Sequence, residues 1–110
     1  MAKEGAYAHE LTEPMTEEQI YDAIDVFRMF VETALIDVRF TKDVGYHGAT
    51  KTYYDDEGIP AVHIVLLKTK DFFVLRHELA HCYMDFHHPG HPEPHGAEFD
   101  KTLEMIEGIL

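Results

Sequence analysis

The sequence predicts an α+β domain: an N-terminal helix, a small and mostly antiparallel three-stranded sheet, then two more helices. Three observations predict it. Apolar residues recur at helical spacing from Ile20 onward. A β-prone stretch with one long apolar run fills the middle of the chain. Helical spacing then returns after Asp71. At 110 residues the chain supports one hydrophobic core and not two.

Each element has its own signals. Residues 1–14 read as a flexible N-terminal arm ending at Pro14, and residues 15–110 as the domain. Thr16 and Gln19 match a capping box, and Met15 with Ile20 matches a hydrophobic staple, so the first helix starts there. Ile20, Ala23, Ile24, Phe27, Val31, Ala34, Leu35 and Val38 form its apolar stripe. Glu18, Asp22, Asp25, Glu32 and Asp37 form its solvated face. Strands are expected at 38–41, 49–54 and 61–67. Gly45 and Gly48 bracket one turn, and Asp55-Asp56-Glu57-Gly58 makes another. Asp71 is the expected N-cap of a second helix over 72–86, stopped before Pro89-Gly90. A last helix is expected over 96–107, with Phe99, Leu103 and Ile106 on one face and Gly108 as C-cap.

Composition narrows the function classes. The formal charge is −12, and six of the nine basic side chains lie in residues 39–76. A chain this acidic repels phosphate backbones, so strong autonomous nucleic-acid binding is not expected. No apolar run approaches the ~20 residues of a membrane span, and residues 1–10 lack the apolar stretch of a signal peptide. The single cysteine, Cys82, excludes an intrachain disulfide and a multi-cysteine zinc finger. A cytoplasmic, reducing compartment is the expectation.

The unusual feature is histidine. There are nine, and six lie between His77 and His95. His77-Glu78-Leu79-Ala80-His81 is an HExxH sequence inside the second predicted helix. Residues four apart lie on one helical face, so both imidazoles can reach one metal ion. Glu78 is rotated by about 100° from His77, where it can approach a water on the metal rather than the metal itself. Two neutral nitrogen ligands, a carboxylate base and an open position suit a zinc hydrolase.

Such a site needs a third protein ligand, and four residues compete. His87 stands ten residues after His77, the spacing of HExxHxxGxxH, but Met84 occupies the glycine position and the sharp turn is not encoded. His91 lies within the proline-rich loop. Glu98 would be a carboxylate from a later helix. His95 follows His81 by fourteen residues. That is enough for the helix to end, the loop to reverse, and a new helix to present its first residue. Glu98, one turn on, is also placed to orient an imidazole as a hydrogen-bond acceptor.

The order HELAH, a 13-residue loop, then HGAEF resembles the SprT-like zinc metalloprotease family. The strand at 61–67, leading through Lys68 and Thr69 into the HExxH helix, is similar too. The resemblance covers about residues 17–107, with specific motif matches in 77–99. It implies a zincin-like fold, Zn2+ held by His77, His81 and His95, and Glu78 as general base. Many members add a cysteine zinc ribbon or a DNA-binding tail; this chain is expected to be a minimal form without the ribbon.

The expected function is therefore a zinc-dependent metallopeptidase acting on a protein or peptide substrate. The alternative is a catalytically inactive, zinc-stabilised protein-binding module. Other conspicuous residues read as structural. His63, in an apolar strand, is expected to be half-buried. Tyr46, Tyr53, Tyr54 and Tyr83 are expected to pack, one of them being a candidate donor to an oxyanion. Cys82 and Met105 are expected in the core, and His87, His88 and His91 as solvated loop residues or as side chains that capture adventitious metal.

Overall fold

The computed structural model of the chain describes residues 13–44, 47–90 and 95–110. Its elements are α1 (Glu17–Phe30), β1 (Leu35–Phe40), β2 (Gly48–Tyr54), β3 (Pro60–Leu67), α2 (Phe72–His87) and α3 (Ala97–Ile109). This is the α, three β, α, α order of an α+β domain. Among the described residues no helix is long and apolar enough to cross a membrane.

α1 starts at the expected capping box. The Thr16 hydroxyl accepts from the Gln19 amide at 3.1 Å, and Gln19 Oε1 accepts from the Thr16 amide at 2.9 Å. It buries Ile20, Ile24 and Phe27. It stops at Phe30, earlier than the apolar stripe through Val38 suggests, because Val31 turns extended (φ −134°, ψ 129°). Ala34, Leu35 and Val38 fit a helical period, but Ile36, Val38 and Phe40 also fit the period of a strand. Pairing of Leu35–Phe40 along β3 decides between them.

The sheet order is β1-β3-β2. β2 and β3 form an antiparallel hairpin, while β1 runs parallel to β3. The sheet is thus mixed rather than mostly antiparallel. The cause is hydrophobic: β3 is the most apolar strand and takes the central place, inserted between β1 and β2. Since β1 and β2 run in opposite directions, a strand antiparallel to one must be parallel to the other. At the hairpin, Asp55 Oδ1 accepts from the amides of Glu57 (2.8 Å) and Ile59 (2.9 Å), and Gly58 supplies the positive φ of +80°.

Odd-numbered β3 residues face the helices: His63, Val65 and Leu67 are buried. In register with them lie Ile36, Val38 and Phe40 of β1, and Thr52, Thr50 and Gly48 of β2. Against this face lies α2, buried through Val74, Leu75, Leu79, Ala80, Cys82 and Met84. One core cluster joins α1, β1, β3 and α2 to Phe99 and Ile106 of α3.

The start of α2 is anchored twice. Asp71, buried, accepts from the Phe73 amide at 2.8 Å through Oδ1 and from the Glu13 amide at 3.2 Å through Oδ2. Glu13 and Met15 also exchange backbone hydrogen bonds with Phe72 and Lys70. The last two residues of the expected arm, Glu13 and Pro14, are therefore paired with the α2 start; residues 1–12 lie outside the described residues. At the other end, Gly108 does not cap α3. It lies within the helix, which runs to Ile109 because Ile109 and Leu110 fold onto the core.

Candidate metal centre

α2 carries His77 and His81 one turn apart, and His95 precedes the N-cap Gly96 of α3. Their Nε2 atoms form a triangle: 3.1 Å from His77 to His95, 3.2 Å from His81 to His77, and 3.2 Å from His95 to His81. A neutral imidazole Nε2 is either a donor or an acceptor. Of three such atoms facing one another, at least two must present the same group, lone pair to lone pair or N–H to N–H, and repel. A cation bound to all three lone pairs removes that conflict. Tetrahedral zinc with Zn–N of about 2.0–2.1 Å sets its nitrogen ligands about 3.3 Å apart, so the donor set fits such an ion to within a few tenths of an ångström. Among the described residues, these three histidines form the cluster placed to hold a metal.

The local electrostatics favour neutral rings. Burial, then the neighbouring imidazoles, lower the pKa of His77 to about 3 and that of His81 to about 4. At neutral pH both therefore present lone pairs, which is the ligating state. Phe99 forms an apolar floor to the cluster. Its ring centroid lies 4.9 Å from His77, 4.8 Å from His81 and 5.0 Å from His95. It comes from α3 one turn after His95, so the same helix start supplies an imidazole and the surface beneath it. Thr102 extends the seam between α3 and α2, its hydroxyl donating to the Glu98 carbonyl at 2.9 Å and lying 3.5 Å from Met84 Sδ.

The other ligand candidates are placed elsewhere. His87 sits 2.7 Å from the Glu32 carbonyl through Nε2 and stacks on Tyr83 at 4.2 Å. It ties the end of α2 to the segment after α1 rather than being merely solvated. Glu98 is exposed and does not join the cluster. His91 lies outside the described residues, as does Tyr46. Tyr53 and Tyr54 are about half exposed (50% and 49%), so they do not pack as expected. Cys82 is fully buried, and burial followed by the Glu78 and Asp85 charges raises its pKa, keeping the thiol protonated and out of metal chemistry.

Glu78 is buried on α2 beside the cluster. Its Oε1 accepts from the Thr50 hydroxyl at 2.6 Å. Two residues along β2, Thr52 donates to Asp85 Oδ2, also at 2.6 Å. Two threonines of one strand face thus grip two carboxylates seven residues apart on one helix. Asp85 leads further inward. His63 is fully buried rather than half-buried. The Ala34 amide donates to its Nε2 at 3.4 Å, which places the ring proton on Nδ1, 2.9 Å from Thr52 Oγ1. The chain Ala34, His63, Thr52, Asp85 is therefore consistent in proton direction with a neutral imidazole. Burial accordingly lowers the His63 pKa, against the Asp85 charge. Thr50, Thr52 and Asp85 were not readable as partners from the sequence. The available signal is the alternation of threonines at 50 and 52 in a β-prone segment, which marks one face as polar without saying what it meets.

Thr52→Val is expected to cost about 2 kcal/mol, because it leaves the Asp85 carboxylate and the His63 Nδ1–H without this shared partner. Equilibrium denaturation should show a lower midpoint with an unchanged slope. A variant as stable as the wild type would mean that water satisfies both groups.

No protein-family model matches the chain, and neither a curated protein nor a solved structure matches it.

Proposed function

We propose that the chain is a zinc-dependent peptidase of the zincin-like kind, close in its site to the SprT-like metalloproteases. The observation that carries this reading is the convergence of three Nε2 atoms within 3.2 Å of one another, beside a buried carboxylate on the same helix. His77, His81 and His95 would hold the metal. When bound, zinc acidifies a water toward pKa ~7 and polarises the scissile carbonyl. Glu78 takes the proton of the attacking water on its carboxylate and hands it to the leaving amine nitrogen. Phe99 keeps bulk water from the underside of the imidazoles.

The substrate in this reading is an extended peptide. β2 is an edge strand, pairing among the described residues with β3 alone, and its Thr50 touches Glu78. A substrate strand added along β2 would lay successive carbonyls past the site, with main-chain hydrogen bonds supplying affinity.

The protein, loaded with one equivalent of zinc, is expected to cleave an unfolded protein such as casein. Cleavage should stop with 1,10-phenanthroline and return when zinc is restored. Zinc-loaded protein that leaves casein and a mixed peptide library intact would overturn the reading.

A further inference from the structure

The space around Glu78 is shaped from one strand. Gly48 and Thr50 are two residues apart on β2 and lie on the same face, toward α2. A Cβ built on Gly48 would lie 3.2 Å from Glu78 Cγ, 3.1 Å from Val74 Cγ1 and 3.1 Å from the Leu66 carbonyl oxygen. The last is backbone of the neighbouring strand, so a side chain at 48 would have to push the Glu78 stem, Val74 or that strand by a few tenths of an ångström, and the room beside the Glu78 stem is there because residue 48 has none. The far end of the same side chain is held by Thr50. Its hydroxyl is 2.6 Å from Glu78 Oε1 and 3.2 Å from the Glu78 carbonyl oxygen. With one hydrogen to give, it serves the shorter, charged acceptor. Threonine is β-branched and stiff about χ1, so the strand itself fixes where that hydroxyl stands.

We propose that β2 is the template that sets the Glu78 carboxylate, with Gly48 making room for its stem and Thr50 acting as the positioning residue that fixes its rotation. This inference rests on the peptidase reading, in which Glu78 is the base. A buried glutamate on a helix has several rotamers, and proton transfer needs one of them. Thr52, on the same strand face, makes a hydrogen bond of the same length to Asp85. It serves as the control for a threonine–carboxylate bond remote from the chemistry.

The experiment compares wild type, Thr50→Val, Thr50→Ser and Thr52→Val, each loaded with zinc. Valine keeps the shape and strand propensity of threonine; serine keeps the hydroxyl. Thr50→Val should lower kcat about ten- to a hundredfold, the size expected for a hydrogen bond to a charged group. KM and zinc stoichiometry should stay within about twofold, and Thr50→Ser should recover kcat to within about threefold. Thr52→Val should lower the melting temperature and leave kcat intact where it is folded. Acetohydroxamate, titrated calorimetrically, supplies a readout without turnover, since a hydroxamic acid gives its proton to a carboxylate as it chelates. Its affinity should fall in Thr50→Val and not in Thr50→Ser. Should Thr50→Val not fold, Gly48→Ala tests the same template from its other end, with the same drop in kcat and hydroxamate affinity. An active wild type whose Thr50→Val variant keeps kcat and hydroxamate affinity overturns the positioning role and spares the peptidase reading. A zinc-loaded wild type that cleaves nothing overturns the peptidase reading; the hydroxamate affinities then still decide whether Thr50 sets Glu78.

Discussion

Glu78→Gln is expected to reduce peptide cleavage about 10³-fold while zinc content stays at the wild-type level. The size follows from removing a positioned general base, whose contribution is typically 10²–10⁴-fold. The retained metal follows from the geometry: the three converging nitrogens belong to His77, His81 and His95, and none belongs to residue 78. The fold should survive as well. Glutamine keeps an amide oxygen where Oε1 accepts from Thr50, and it brings no charge into this buried position. Alanine would be a poorer test, since it would empty the space beside Gly48 and strand the Thr50 hydroxyl. Initial rates on a peptide found with the wild type, together with elemental mass spectrometry of the same samples, measure both halves of the prediction. Retained cleavage would remove Glu78 as base. Retention of some non-hydrolytic binding function with no turnover in either protein would favour a zinc-stabilised binding module.

Much of the fold was legible because its signals are local. The Thr16–Gln19 capping box, the Asp71 cap and the apolar run of β3 each act over a few residues, and each element starts within a residue or two of its signal. The spacing of His77 and His81 likewise needs only a helix to bring the rings together. What was not legible depends on tertiary choice. The helical stripe ran on past Phe30 because positions 34, 35 and 38 satisfy two periodicities, and only pairing with β3 selects one. The parallel pairing follows from which strand takes the centre, a competition for burial among strands that no single segment records. Residue 108 looked like a cap because glycine is the usual stop, yet Ile109 and Leu110 found a place on the core. At the site, spacing left the partner of His77 and His81 open among four residues, since a proline-rich loop can return in many directions. The fold places His95 with them and His87 against Glu32. Thr50 and Thr52 stayed hidden because a polar residue in a strand reads as solvent-facing until the register shows it turned inward, and Asp85 on α2 because its partner is one of them.

His95→Ala is expected to weaken zinc binding more than about a hundredfold, beyond the 10–100-fold typical for losing a group that merely supports a ligand. It is the one residue of the cluster outside α2, so a metal there would clasp the start of α3 to the middle of α2. Its removal should leave the apo fold in place. His95 is exposed, and Phe99, which is buried, keeps α3 seated on α2 through its contacts with His77 and His81. The stability that zinc adds should behave differently. A ligand that binds only the native state stabilises it by about 4 kcal/mol at a thousand times its dissociation constant. Zinc should therefore raise the wild-type melting temperature, and raise that of His95→Ala by no more than about a third as much. His87→Ala and Glu98→Ala are the controls: one ring is held by the Glu32 carbonyl and the other side chain lies outside the cluster, so both should keep about one zinc per chain. Elemental mass spectrometry after purification without chelator reads all four proteins. Zinc kept by His95→Ala and lost by His87→Ala would mean that the loop closes the site differently in the metal-loaded protein. Absence of zinc from the wild type under those conditions, with none taken up on titration, would leave the three rings as packing over Phe99 and remove the metal on which the peptidase reading stands.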